Sequence, residues 1–200
     1  LRPRRAGQLW DALLCAITEQ LIESSEAAQI QRRIVGRWGA SMQVPGSRWP
    51  LRDVPSAAAI ADLAPAELTS CGLAPKRAIA MVKVAREVAS GRCDLSTPAC
   101  NDRLIRISEI GPWTLQCLGI NGRGDLDSLP AGDLAYVKLV GHLSGRGRRA
   151  TTAEVEEFYA RFAPYRGIAG LHTLSGGLVS ALPAAPPLRY HPANPELEAA

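Results

Sequence analysis

Ile107-Ser108-Glu109-Ile110-Gly111-Pro112-Trp113-Thr114, followed by Leu129-Pro130-Ala131-Gly132-Asp133-Leu134, is the most informative pair of segments in this 200-residue chain. Gly111 marks a tight turn, and Pro112 suits the first position of a helix, where the N–H it lacks would have no partner in any case. A turn of this kind offers the free N–H groups of a helix start to an anion. Asp133, 22 positions beyond Gly111, is a lone carboxylate at the head of the next amphipathic run. Together the two segments read as a phosphate grip with an acid beside it. Two plainer readings stand next to that one. Residues 107–114 also suit an ordinary helix–turn–helix packing corner, and Asp is a favoured helix N-cap in any protein. The cap and the charge-bearing role are compatible.

Outward from this centre, apolar residues recur at helical spacing. Leu9, Trp10, Leu13, Leu14, Ile17 and Leu21 form one stripe, and Ala27, Ile30, Ile34 and Trp38 a second, with Gly39 as its stop. Residues 41–55 carry Pro45, Gly46, Trp49, Pro50 and Pro55 and read as a loop. Short helices are predicted over 56–62 and 65–70, a long one from Pro75 to Ala89 ending near Gly91, and a short one over 102–107. Residues 122–132 are a Gly/Asp-rich loop. Asp133 then heads a helix through Leu143, and Gly145-Arg146-Gly147-Arg148-Arg149 is a basic loop. Thr151 with Glu154 forms a capping-box signature, and a last helix follows Tyr165. No convincing alternating strand is present. The fold class is all-α, with roughly ten helices.

Composition bounds the rest. A hydrophobic content of 46% suffices for one substantial core or two lobes. The excess of Lys and Arg over Asp and Glu is +4, which permits a nucleic-acid partner without demanding one. No apolar run approaches the roughly 18 residues of a membrane span, and the start Leu1-Arg2-Pro3-Arg4-Arg5 lacks the apolar segment of a secretory signal. A cytoplasmic location without membrane contact is expected, and Leu1 at the first position leaves room for an upstream domain. Cys15, Cys71, Cys93, Cys100 and Cys117 are odd in number and scattered, which suits reduced thiols. Cys93 and Cys100 lack the close pair that an iron–sulfur cluster needs, and His142, His172 and His191 stand too far apart for zinc.

The central segments resemble the helix-hairpin-helix (HhH-GPD) DNA glycosylase superfamily, specifically its 3-methyladenine DNA glycosylase II group. Three further blocks, in the same order, carry the resemblance. They are Ala16-Ile17-Thr18-Glu19-Gln20, Gly72-Leu73-Ala74-Pro75-Lys76-Arg77-Ala78 and Pro164-Tyr165-Arg166-Gly167-Ile168-Ala169, the last with Gly167 where the family has Ser. Roughly residues 6–175 are covered. Each block also has a plain reading: Gln20 as a solvated polar residue, Lys76 and Arg77 as an exposed helix start, Arg166 as a brace for the Asp133 loop or a side chain lying over the core.

The resemblance implies a two-lobed helical glycosylase domain over 1–181, with a middle lobe at about 40–125, a second lobe drawn from both chain ends and a cleft between them. A Pro-rich tail at 182–200 is expected to be disordered. It implies that Asp133 is the catalytic group and that Ile110, Gly111, Pro112, Trp113 and Thr114, with Lys76 and Arg77, contact DNA. Trp113, Cys117, Tyr136, Leu174 and Gln20 would line the base pocket, although an inward Trp113 reads equally well as core. The main-chain oxygens of Ile105, Ile107 and Ile110 would hold a structural Na+ or K+. No other cofactor and no iron–sulfur cluster are expected. The partner is double-stranded DNA with a damaged base, nucleoid-associated if bacterial, and the protein a monomer.

The chain departs from the pattern at three places: Glu109 stands where the family's first turn glycine is common, Cys117 where Tyr is frequent, and Leu174 where a stacking Trp is expected. Trp113 occupies the position of the Schiff-base Lys of strand-nicking relatives, which implies a monofunctional enzyme using water. Three function classes follow: an alkylated-base glycosylase, a DNA-binding module of this fold without catalysis, and a helical protein with a protein partner.

Overall fold

The computed structural model describes residues 6–145 and 147–175. The expected Pro-rich tail at 182–200, and Arg146 of the basic loop, lie outside the described residues. The described residues form ten α-helices: α1 (Leu9–Glu19), α2 (Ser24–Trp38), α3 (Ala57–Ala61), α4 (Pro65–Ser70), α5 (Pro75–Ala89), α6 (Asn101–Leu104), α7 (Pro112–Cys117), α8 (Leu134–Leu143), α9 (Thr152–Ala160) and α10 (Arg166–Ser175). The fold is all-α, as its periodicity predicts, and no helix among the described residues is long and apolar enough to cross a membrane.

Helix ends follow local chemistry. Pro65 and Pro75 open α4 and α5 at positions where no N–H is missed. Ser56 Oγ accepts the N–H of Ala59 at 3.1 Å, and Thr151 and Glu154 form the predicted reciprocal cap at 3.2 and 2.7 Å. The helix expected over 102–107 is shorter. After Leu104 the N–H groups of Arg106 and Ile107 bond three residues back, to Arg103 and Leu104, and the chain tightens into a turn. Conversely, α7 runs on into a wide π-helical turn at Leu118–Arg123, where a loop was expected from residue 122.

The loop predicted at 41–55 contains one feature that periodicity missed. Strands β1 (Ser41–Met42) and β2 (Leu51–Arg52) pair antiparallel, Ser41 opposite Arg52 and Met42 opposite Leu51. All four side chains are exposed, so there is no alternation to read and only main-chain pairing makes the ladder.

Apolar burial falls into two clusters. The larger gathers Leu13, Leu14 and Ile17 of α1, Ile30 and Ile34 of α2, Met81 and Val84 of α5, then Leu104, Ile110 and Leu118. The smaller gathers Leu129, Ala131, Tyr136, Val140, Val155 and Tyr159, with Leu174 and Phe158 packed against it. Each fully buried Leu or Ile contributes about 1.5–3 kcal/mol of transfer free energy. The segment 105–133, which carries the hairpin turn, α7 and Asp133, links the two clusters and is held from both sides.

Candidate active site

The hairpin is α6, the turn 105–111 and α7. Buried Leu104 and Ile110 anchor it in the larger core. The N–H of Ile110 bonds the carbonyl of Ile107 at 3.0 Å, and Glu109 between them adopts a left-handed backbone with φ +74°. A residue with a Cβ pays about 1–2 kcal/mol for that conformation. This is the position where the family pattern commonly has glycine, and the geometry supplies the reason. Gly111 is different. Its backbone is extended, with φ −111° and ψ 178°, and a Cβ there would meet no atom within 4 Å. Neither conformation nor internal packing demands glycine at 111. The N–H groups of Gly111, Trp113 and Thr114 find no acceptor among the described residues.

Gln20, half-buried at the end of α1, clamps this turn. Its side-chain amide donates to the main-chain oxygen of Glu109 at 2.8 Å and to Thr114 Oγ1 at 2.7 Å. Arg77 in turn donates to the main-chain oxygen of Gln20, and its half-buried guanidinium braces the end of α1. Lys76 beside it is exposed. The predicted residues Arg77, Gln20 and Thr114 are therefore joined by hydrogen bonds, with Gln20 also bonded to the turn at Glu109, two residues before Gly111.

Asp133 joins it through Trp113. The indole Nε1 donates to Asp133 Oδ2 at 3.0 Å, and Asp133 Oδ1 accepts the N–H of Ala135 at 2.8 Å, capping α8. The cap is therefore observed, and the other oxygen of the same carboxylate is bonded to the helix that follows the hairpin. Its partners are neutral donors, and the residue is half-buried. Cys117, one turn after Trp113, is buried. Burial, then the charges of Asp133 and Glu19, hold its thiol well above the usual range, so it is a small neutral wall. Tyr136 is 2% exposed in the smaller core, edge-on to Tyr159 at 5.8 Å, and its hydroxyl is buried without a hydrogen-bond partner among the described residues. Leu174 packs against the same cluster.

The loop before Asp133 is braced from α10. Arg166 grips Asp127 in a fork, Nε to Oδ1 at 2.9 Å and Nη2 to Oδ2 at 2.6 Å, and its main-chain N–H adds a third bond at 3.0 Å. The side-chain bond from Arg166 holds the Asp127 carboxyl below the usual carboxylate range. Of the two readings open for Arg166, the brace is the observed one. Gly167, in place of the family Ser, lies where a Cβ would stand 2.2 Å from the carbonyl oxygen of Ser128, so here the missing side chain is what lets α10 press onto the loop.

Two residues escaped sequence reading. Leu21, taken for the end of the first apolar stripe, is 97% exposed in a left-handed backbone (φ 58°), directly after Gln20. Its only sequence signal is that it continues an apolar period past the helix end. Glu19 is the second: burial, and further the charge of Asp133, raise its carboxyl above the usual range, against a lowering bond from Gln31. Only the packing of α1 against α7 brings it to the carboxylate of a residue more than a hundred positions away. For the expected Na+ or K+, main-chain oxygens are hard, neutral donors of the right kind, and the carbonyl of Ile107, although it accepts Ile110, keeps a second lone pair.

Comparison with solved structures shows that several DNA glycosylases share this helical fold. A 3-methyladenine DNA glycosylase from Archaeoglobus fulgidus superposes with a TM-score of 0.71 at 24% identity, over 85% of this chain and 59% of its own. A Clostridium acetobutylicum 8-oxoguanine glycosylase/lyase, in complex with double-stranded DNA containing cytosine opposite 8-oxoG, gives 0.73 at 13% identity, over 87% of this chain and 61% of its own. The 3-methyladenine DNA glycosylase Mag1 of Schizosaccharomyces pombe, in complex with abasic DNA, gives 0.70 at 21%, over 88% and 84%. The chain thus spans about three fifths of the length of the first two of these proteins. Neither a protein-family model nor a curated sequence matches it.

Proposed function

We propose that this chain is a monofunctional DNA glycosylase of base excision repair that hydrolyses the N-glycosidic bond of an extruded alkylated base of the 3-methyladenine type. The observation that carries the reading is the 3.0 Å bond from Trp113 to Asp133, which ties the carboxylate to the first turn of the helix after the hairpin. Gly111 supports it further, because the open space at its Cα answers to no need of the chain itself and suits close approach of a phosphate.

In this reading the free N–H groups of Gly111, Trp113 and Thr114 hold a backbone phosphate, and a Na+ or K+ on the main-chain oxygens of Ile105, Ile107 and Ile110 would offset its charge. The nucleotide rotates out at a cost of a few kcal/mol, less for a damaged base. Exposed Leu21, held in a backbone that costs strain, is suited to fill the gap left in the stack. As the C1′–N bond breaks, its electron pair leaves with the base, which departs neutral if alkylation had made it cationic. Positive charge develops on the sugar, and ionised Asp133 stabilises it. Water adds to C1′ and gives up a proton towards Asp133. Trp113 occupies the position where a Lys would form a Schiff base, so the abasic strand is left uncut.

Base-release chromatography on methylated DNA tests this. Asn caps helices as well as Asp, so Asp133→Asn should keep the melting temperature and duplex binding while base release falls by about 100-fold or more. Turnover retained in that variant rejects the assignment of Asp133. Duplex binding by the wild type without any base release favours the second reading, a DNA-binding module of this fold, to which the strained Glu109 lends support.

A further inference from the structure

Beside the hairpin, away from Asp133, lies a recess of about 370 Å³. Lys83, Arg86 and Glu87 of α5 line it with Arg92, Arg103 of α6 and Arg106, and its edge is Ile107 of the hairpin turn itself. Five cationic side chains face one carboxylate there. That is a local excess of positive charge among the lining side chains.

The cluster is not a closed ion network. Glu87 accepts from Arg92 at 3.2 and 2.8 Å and from Arg103, and so fixes two guanidinium groups. Those two side chains remain 51% and 48% exposed, which leaves guanidinium surface open to the recess. Lys83 and Arg106 are exposed and form no ion pair among the described residues. Like charges in so small a volume repel; Asp94 and Asp102 line the adjoining recess with Arg92, Arg103 and Arg106, while Lys83 and Arg86 lie only on this side. Glu87 takes the Nε–Nη2 edge of Arg92 and the Nε of Arg103, so their remaining N–H groups are the ones that can meet phosphate oxygens, and the lining contains no aromatic side chain on which a base could stack.

We infer that this recess is a second phosphate-contact site, in which Lys83, Arg86, Arg92, Arg103 and Arg106 hold the sugar–phosphate backbone of the duplex beyond the phosphate clasped at Gly111. The inference rests on the DNA-binding reading above. Because the edge of the recess is Ile107, four residues from Gly111, a strand held at the turn has neighbouring phosphates within reach of these long side chains. The site reads no sequence and adds affinity that depends on salt.

The test uses the full chain and a lesion-containing duplex of about 25 base pairs. Dissociation constants are measured across a salt series for the wild type, for Lys83→Ala/Arg106→Ala and for Arg32→Ala/Lys138→Ala, which removes the same charge elsewhere. Neither Lys83 nor Arg106 is in an ion pair among the described residues, so the double variant keeps the Glu87 contacts. Its affinity should fall by about tenfold or more, and the slope of log K against log salt should drop by about two, one for each lost phosphate contact. Phosphate-ethylation interference should lose one set of sites in this variant, while Gly111→Ala loses a different, adjacent set. Affinity, slope and interference equal to those of the control variant overturn the inference and leave the glycosylase reading intact. A wild type that binds no duplex overturns both.

Discussion

The indole nitrogen of Trp113 lies 3.0 Å from Asp133 Oδ2, so the residue that follows the hairpin turn also orients the candidate catalytic carboxylate. Sequence reading divided Trp113 between core and base pocket; its position is half-buried, with the polar edge of the ring committed to Asp133. Trp113→Phe keeps the apolar ring and removes the donor. Base release is expected to slow by about tenfold through loss of one oriented bond, with duplex affinity unchanged. Single-turnover kinetics at saturating DNA, set against binding isotherms, separate the two effects. An unaltered single-turnover rate shows that the bond is only structural.

Glu109 combines a left-handed backbone with a negative charge in the turn proposed to meet a phosphate. Glu109→Gly relieves the first and removes the second. A charge about 4 Å from a phosphate in water costs about 1 kcal/mol, so duplex affinity should rise about fivefold at low salt and less at high salt. Glu109→Ala, which removes the charge but keeps the strain, should match it in affinity and fall below it in melting temperature. Equal or weaker binding by both variants indicates that this turn does not approach the DNA backbone.

The hydroxyl of Tyr136 is buried without a partner among the described residues, and a buried, unsatisfied polar group costs about 1–3 kcal/mol. Tyr136→Phe should therefore stabilise the protein by about 1 kcal/mol, read from urea denaturation. If the hydroxyl instead finds its partner in an extruded base, as the sequence expectation for this residue implies, the same variant gains stability and loses base release. The two measurements together decide between core and pocket.

Glu19 gives a pH dependence with a definite sign. Its carboxyl is raised in the folded state, first by burial and further by Asp133, so the ionised form disfavours folding. The penalty is absent where Glu19 is protonated in both states, below about pH 4, and is fully present once the pH exceeds the raised folded value. Glu19→Gln should accordingly raise the melting temperature at pH 7 and leave it unchanged at pH 3.5. The carboxyl is covered on its inner side only and the residue as a whole stays open to solvent, so screening keeps the gain under about 1 kcal/mol. A gain of equal size at both pH values assigns the effect to something other than charge.

What could be read along the chain is what depends on near neighbours. The period of 3.6, Pro at helix starts and the Thr151–Glu154 cap are local, and α4 and α5 begin and end where those signals predict. The turn before Pro112 and the carboxylate at 133 were legible for the same reason, each with a functional reading and a plain one that sequence could not separate.

Distances across the fold decided the rest. That Gln20 clamps the main chain of Glu109, that Arg77 serves the end of α1, and that Arg166 braces the Asp127 loop are pairings over 89, 57 and 39 positions. Side-chain hydrogen bonds at such separations leave no periodic trace, because only the packing of helices brings the partners together. The same holds for the gathering of Lys83, Arg92, Arg103 and Arg106 around Glu87 in one recess, where charges that look evenly scattered along the chain leave a local positive excess.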